Sequence, residues 1–196
     1  MPDSRTRRRC KKKGWVSLNK GASRGALFWA IVGPWVVLDV LTKYWAVEAL
    51  TPPNVRSHAV LGEWLRFTLV YNRGAAFGLS VGEWSRWIFT VLTLGALGLL
   101  WHLYTETSRG DTWRVVAIAL VTGGALGNLV DRVRWARGVV DFIDVGLAGW
   151  RFWTFNVADI GVTCGAILLA IILWREDIAL AKAAAAANAA DQSPSS

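Results

Sequence analysis

Four acidic residues lie within or beside long apolar stretches of this chain, where a charged side chain is costly. Asp39 lies inside the first stretch, Asp131 and Asp141 flank the end of the third, and Asp159 lies near the start of the fourth. Ionisable groups at membrane depth tend to mark functional sites. Two neighbouring carboxylates can hydrolyse a peptide bond, because one takes a proton from water while the other donates to the carbonyl oxygen. Proton-transfer chemistry is therefore one candidate for these residues.

Each acid also has a purely structural interpretation. Asp39 and Lys43 are spaced i,i+4 and share a helix face, so the two could form an ion pair. Asp159 follows Asn156 in a spacing typical of a helix N-terminal cap. Asp141 could be solvated in a strand-like segment. Taken one at a time, these residues leave both interpretations open.

Other catalytic groups are sparse. His58 has no obvious nucleophile beside it, and His102 falls near the opposite end of the second apolar stretch. Cys10 and Cys164 are far apart, and neither has a His or Cys neighbour at the spacing of metal ligands. We therefore expect no cofactor, no metal site and no disulfide, although metal hydrolysis by carboxylates alone stays open.

The elements that must position the acids are four apolar stretches in a chain of 196 residues, 54% of them hydrophobic. About 20 apolar residues in a helix cross a hydrocarbon core of about 30 Å. The sequence therefore predicts an all-α membrane protein with four transmembrane helices rather than a soluble protein with buried helices. The predicted spans are Ala26–Val47, Trp87–Tyr104, Trp113–Val130 and Phe155–Trp174.

A basic arm, residues 1–25, precedes the first span and holds nine of the 22 lysines and arginines. Nucleic acid is one partner for such a run, but its position against a span favours the positive-inside rule. The N-terminus is then cytoplasmic, as is the Ala-rich tail, 175–196, behind the transmembrane domain of 26–174. Segments 48–85 and 131–153 lie outside, although seven arginines there oppose the bias.

This topology places the acidic and amide side chains at one face of the membrane. Asp141 and Asp159 meet there, and so do Asp131, Arg132, Asn72, Asn128 and Asn156. Capping alone explains this convergence poorly, so we favour a catalytic pair formed by Asp141 and Asp159. Two strands, Leu65–Tyr71 and Val139–Val145, are predicted in the outer segments by their β-branched and aromatic residues.

Five blocks in order resemble the motifs of lipoprotein signal peptidases (signal peptidase II). They span residues 30 to 175, and they read Asp39 with Thr42-Lys43, then YNRGAAFG from Tyr71, GGALGNLVDR from Gly123, VVDF from Val139 and FNVAD from Phe155. The chain departs from the pattern between Arg132 and Asp141, where the loop is about one residue shorter and unusually rich in Arg and Trp.

The resemblance implies an aspartic endopeptidase that removes signal peptides from diacylglyceryl-modified prolipoproteins, cutting before the lipidated cysteine. It implies small outer β-rich and helical elements around four helices. Asp141 and Asp159 would be catalytic, with Asp131 structural, and the substrate contacts would be Asp39, Asn72, Gly74, Asn128, Arg132 and Asn156. We expect a monomer in the bacterial plasma membrane, in contact with membrane lipids and with no nucleic acid.

Two functions of other classes compete with this one. A small transporter or proton channel would use the membrane acids as a relay and would make Asp39 central. A structural or assembly subunit would use the acids only to cap and pair. Cleavage of a lipidated precursor, with and without Asp141, separates the three.

Overall fold

The computed structural model describes residues 23–51, 57–73, 84–108, 110–147 and 149–191. Within them lie the helices α1 (Arg24–Leu50), α2 (Ser85–Glu106), α3 (Thr112–Arg134) and α4 (Val157–Asp191). The strands are β1 (Ser57–Leu61), β2 (Leu65–Asn72), β3 (Val139–Leu147) and β4 (Trp150–Arg151). All four helices are long and apolar enough to span a membrane, the last over Val157–Asn188, which confirms the four predicted spans.

The helix ends differ from the predicted ends for local reasons. Ser23 caps α1 by accepting a hydrogen bond from the Ala26 amide, so the helix begins two residues earlier than predicted. The Ala-rich tail continues α4 to Asp191, because alanine has the highest helix propensity and neither Gly nor Pro interrupts the run. Most of the basic arm, residues 1–22, lies outside the described residues.

Glycines let α3 lie directly against α4. A Cβ atom on Gly124 would overlap the Ala158 carbonyl oxygen, and one on Gly165 would lie 2.7 Å from the Ala117 carbonyl oxygen. Small residues at helix crossings allow this close approach of two backbones in membranes. The first turn of α4 is therefore held against the C-terminal half of α3.

The strands form one antiparallel sheet in the order β1-β2-β3-β4. β2 and β3 pair with Asn72 opposite Val139 and Val70 opposite Asp141. The predicted strands at 65–71 and 139–145 are thus confirmed, each extended at its C-terminal end by one residue and two residues respectively. Gly138 precedes β3 with a φ of 106°, where a side chain would meet the Asn72 backbone.

Aromatic packing fixes the sheet on the end of α1. Trp45 of α1 lies edge-on to Phe67 of β2, with ring centroids 5.1 Å apart, and both contact Phe142 of β3. Asp144 on β3 accepts hydrogen bonds from Thr68 at 2.9 Å and from Arg151 at 2.7 Å. Asp144 therefore ties together β2, β3 and β4 within the strand that carries Asp141.

Candidate active site

Asp141 and Asp159 face one cavity where β3 meets the start of α4. The cavity has a volume of about 400 Å³. The two aspartates and Asn72 supply its acidic and amide groups, while its other walls are mainly apolar and come from Phe152, Trp153, Thr154, Phe155, Ile160, Thr163 and Cys164. The predicted pair is thus brought to one place, with an apolar surface beside it.

Two buried asparagines link the aspartates. The Asn156 side-chain amide donates to Asp141 Oδ1 at 2.7 Å and to Asn128 Oδ1 at 3.1 Å. The Asn128 amide in turn donates to Asp159 Oδ1 at 2.8 Å. A side-chain amide can donate and accept at once, so this row of hydrogen bonds fixes the orientation of each carboxylate.

Asp159 occupies the N-terminal turn of α4. The Asn156 backbone N–H donates to Asp159 Oδ2 at 3.2 Å, and the Asp159 N–H donates to Asn156 Oδ1 at 3.0 Å. This reciprocal pair is the capping arrangement expected from the spacing of the two residues. Asp159 is therefore a capping residue that also lines the cavity, so its structural role does not exclude a catalytic one.

Asp141 sits in a very different environment, because only 2% of its surface is exposed. Burial and the nearby Asp159 carboxylate raise the pKa of Asp141 to about 7, although hydrogen bonds from Asn72 and Asn156 and the charge of Lys43 oppose the shift. Near neutral pH this carboxyl can therefore hold a proton and donate it.

Lys43 is the centre of a buried network behind the cavity. Its Nζ lies 2.8 Å from Asp39 Oδ2 and 3.1 Å from Asp131 Oδ2, and it donates to Asn128 Oδ1 at 2.9 Å. Asp131 also accepts a hydrogen bond from the Val140 amide at 3.0 Å. Lys43 thus orients Asn128, which contacts Asp159. The sequence pointed only to the Asp39–Lys43 spacing.

Asp39 does not line the cavity. Its side chain is fully buried, and its Oδ1 accepts a hydrogen bond from the Ala158 N–H at the start of α4, at 2.8 Å. These are the contacts of a residue that holds α1 against α4. The ion pair with Lys43 is present, while the expected contact of Asp39 with substrate stays a prediction.

The other expected contact residues occupy different places. Asn72 lines the cavity, while Asn128 and Asn156 lie behind it. Arg132 places its guanidinium 5.9 Å from the centre of the Phe89 ring, and its charge interacts with Asp159, Asp141 and Asp131. Gly74 lies outside the described residues. The wall at 152–155 was not predicted as part of the site, although Phe152 and Trp153, just before the FNVAD block, were a signal for it.

The chain is similar to a known family of proteins over most of its length. The model of the signal peptidase (SPase) II family matches residues 31–175, about three quarters of the chain. The chain belongs to the signal peptidase II family. A lipoprotein signal peptidase of Hydrogenovibrio crunogenus is 45% identical over 143 residues, which cover 69% of this chain and 78% of that protein. The lipoprotein signal peptidase of Pseudomonas syringae pv. tomato is 40% identical over 157 residues, or 78% and 89% of the two chains.

A solved structure of a membrane enzyme has the same fold as this chain. A bacterial membrane enzyme solved by the in meso method at 2.3 Å superposes with a TM-score of 0.68 and 33% identity, covering 76% of this chain and 88% of that one. The predicted fold class is therefore confirmed, as is the predicted class of enzyme, an aspartic protease that removes signal peptides from prolipoproteins. Family membership sets aside the transporter and assembly-subunit alternatives.

Proposed function

We propose that Asp141 and Asp159 are the catalytic pair with which this chain cleaves diacylglyceryl-modified prolipoproteins before the lipidated cysteine. The observation that carries the proposal is that both carboxylates face one cavity and are joined through Asn156 and Asn128. Family membership supports the reaction, and the shared cavity supports the assignment of these two residues to it.

The two carboxyls have distinct roles in the proposed step. Asp159 takes a proton from a water molecule, whose oxygen attacks the scissile carbonyl carbon, while Asp141 donates its proton to the carbonyl oxygen. The resulting tetrahedral diol collapses when Asp159 returns its proton to the amide nitrogen and Asp141 recovers its own from a hydroxyl group. The C–N bond breaks, and the pair ends in its starting protonation state.

The environments of the aspartates support this assignment of roles. Burial raises the pKa of Asp141 to about 7, so that it can hold a proton near neutral pH, as a general acid requires. Asp159 receives N–H donors on both oxygens at the N-terminus of α4, where the helix dipole favours a negative charge. We assign Asn128 and Asn156 to holding the two carboxylates, and Asn72, Gly74, Arg132 and Asp39 remain candidates for contact with substrate or its supports.

The apolar wall of the cavity suits a substrate that arrives through the membrane. Phe152, Phe155 and Ile160 lie beside the aspartates and would contact an apolar signal helix or its lipid. We propose that the sheet and this cavity lie at the outer face of the bacterial plasma membrane, that both termini are cytoplasmic, and that the monomer is sufficient for cleavage.

The test is cleavage of a lipidated precursor by purified protein, read by mass analysis. Asp141→Asn and Asp159→Asn keep the shape of the side chain but remove proton exchange, so each should lower turnover by at least about 1,000-fold. Asp177→Asn removes the same charge on the exposed end of α4 and should leave turnover unchanged.

Two outcomes would contradict the proposal. Turnover within tenfold of the unmodified protein by either active-site variant, with the precursor cut at the same bond, excludes a two-carboxyl mechanism. Loss of activity in EDTA that a divalent cation restores would assign the same carboxylates to a metal site. We expect EDTA to have no effect, because the described residues contain no cluster of three or more His, Cys, Asp or Glu side chains that could hold an ion.

A further inference from the structure

A second cavity lies between α1 and α3 and shares no lining residue with the cavity of the aspartate pair. It has a volume of about 300 Å³ and is lined by apolar side chains of both helices, among them Val40, Leu41, Tyr44, Val47 and Val130. Leu41 and Tyr44 are more than 60% exposed, so the cavity opens sideways from the helices. We call this cavity the α1–α3 groove. In a membrane its mouth faces acyl chains.

Two arginines and a tryptophan lie at the sheet end of this groove. Arg134 and Trp135 belong to its lining. The Arg134 guanidinium lies 4.9 Å from the centre of the Trp135 ring, and that of Arg137 lies 5.4 Å from the same ring and 4.6 Å from the Tyr71 ring. Stacking on aromatic rings holds a guanidinium in place while its edge N–H groups stay available.

The charges of these two arginines are not neutralised within the described part of the chain. No carboxylate there pairs with Arg134 or Arg137, and both side chains are exposed. Lys43 and Asp131 also border the groove, but both are almost completely buried, and Lys43 is shared between Asp131 and Asp39. The exposed charged side chains that line the groove or stack on Trp135 are therefore the two arginines, and both are cationic.

We infer that the α1–α3 groove is a binding site for an anionic phospholipid. The phosphate of the headgroup is bound by Arg134 and Arg137 beside Trp135, and an acyl chain lies along Val40, Val47 and Val130. Guanidinium groups match phosphate oxygens in geometry and charge, and a tryptophan suits the headgroup level. The site is separate from the catalytic cavity, so the inference does not depend on the roles assigned to Asp141 and Asp159.

The test is native mass spectrometry of the full chain in a neutral detergent, titrated with phosphatidylglycerol or with phosphatidylcholine of the same acyl chains. We expect phosphatidylglycerol to bind more tightly. Arg134→Gln with Arg137→Gln should weaken its binding by roughly 30-fold, since each basic residue near an anionic headgroup contributes about a factor of five. The matched control, Arg175→Gln with Lys182→Gln, removes the same charge at exposed positions in the C-terminal half of α4 and should bind normally.

A third variant tests the acyl-chain part of the site. Val130→Phe fills the groove without changing its charge and should weaken phosphatidylglycerol binding, while thermal unfolding confirms that each variant is folded. Equal binding of the two lipids, or no effect of the arginine pair, would overturn the headgroup site. Unchanged binding by Val130→Phe would overturn the groove as the acyl-chain site. Equal competition by free glycerol phosphate would show a phosphate site without a lipid.

Discussion

At the scale of single residues, the two aspartates of the candidate site are chemically identical and are made different by what surrounds them. Asp141 lies in a buried strand, next to the charge of the second carboxylate. Asp159 is half-buried in the first turn of α4, and each of its carboxylate oxygens accepts a hydrogen bond from an N–H group. Acid–base catalysis typically uses two titratable groups whose environments move their pKa values apart.

The raised pKa of Asp141 predicts how cleavage depends on pH. The protonated acid is the active form, so turnover should fall as pH rises through about 7, the pKa of Asp141. A pH–rate profile measured over roughly two pH units on either side of this pKa checks the prediction. A rate that keeps rising above this region would show that Asp141 is not the acid.

Two further measurements separate this effect from a general loss of structure. The Asn156 amide donates to Asp141 and opposes the rise of its pKa, so Asn156→Leu should move the alkaline limb of the profile to higher pH as well as lowering turnover. In the folded chain a raised carboxyl pKa means that stability falls as pH rises from about 4, the unfolded value, towards the folded value. Asp141→Asn should flatten that part of the stability curve.

At the scale of elements, the site depends on how closely three helices approach one another. α3 crosses α4 with glycines at the contact, and α1 reaches the first turn of α4 through Asp39 and the Ala158 N–H. The sheet is docked on the same end through Trp45, Phe67 and Phe142. A small change in any of these contacts moves Asp159 relative to Asp141.

The glycine contact can be tested with a single methyl group. Gly124→Ala places a Cβ against the Ala158 carbonyl oxygen and Val162, so the two helices must separate. We expect a loss of stability of about 1–3 kcal/mol and a larger loss of turnover, because Ala158 adjoins Asp159. Thermal unfolding and the cleavage assay measure both.

Gly98→Ala is the control for that variant, since a Cβ there has no atom within 4 Å in the structure. It should keep full turnover and gain slightly in stability, because alanine favours a helix more than glycine does. Equal effects of the two substitutions would show that the helix contact is not what positions Asp159.

The network around Lys43 predicts that substitutions of its members lower the stability of the protein by unequal amounts. Lys43→Met leaves Asp39 and Asp131 buried without a cation, which should lower stability by about 3–5 kcal/mol. Asp39→Asn keeps an oxygen that accepts from the Ala158 N–H, so it should cost less. Unfolding in detergent compares the two variants. A larger loss of stability for Asp39→Asn than for Lys43→Met would show that the network depends mainly on the charge of Asp39.

The cleavage assay with the same variants addresses the role of Asp39. If Asp39 only holds α1 against α4, turnover by Asp39→Asn should fall no more than its stability explains. A folded variant without activity would return Asp39 to the set of substrate contacts.

At the scale of the whole molecule, the net charge and the exposed apolar surface are those expected of a protein embedded in a bilayer. The net charge is +8, and large apolar side chains such as Trp29, Leu41 and Val91 are about 60% or more exposed along the spans. In water such a surface would favour aggregation, whereas in a bilayer it contacts lipid. Three acids of the described spans, Asp39, Asp131 and Asp159, lie at one end, where Lys43 and Asn128 link them.

The proposed orientation is tested by cysteine labelling in intact cells. In a background with Cys10 and Cys164 replaced, Arg137→Cys should react with an impermeant reagent added outside, and Arg175→Cys should react only after the membrane is opened. The basic arm beside the first span is the reason for this expectation. Labelling of position 175 from outside, with position 137 protected, would move the aspartates to the cytoplasmic side and contradict the proposal.

The sequence alone determined the number of spans, the strands at 65–71 and 139–145, and the identity of the aspartate pair as a prediction. Apolar length and strand propensity are local properties, so a window of the chain contains all the information that they need. The motif blocks add the family, because each is a short run of residues. The continuation of α4 beyond Trp174 is also local, since the Ala-rich run favours a helix.

Only the tertiary structure decided how the side chains behind the pair are connected. The hydrogen bond from Lys43 to Asn128 joins residues 85 positions apart, and that from Ala158 to Asp39 joins residues 119 apart. The pKa of Asp141 likewise depends on burial by several elements at once. Hydrogen bonds and desolvation act over a few ångströms in space, and distance along the chain does not specify them.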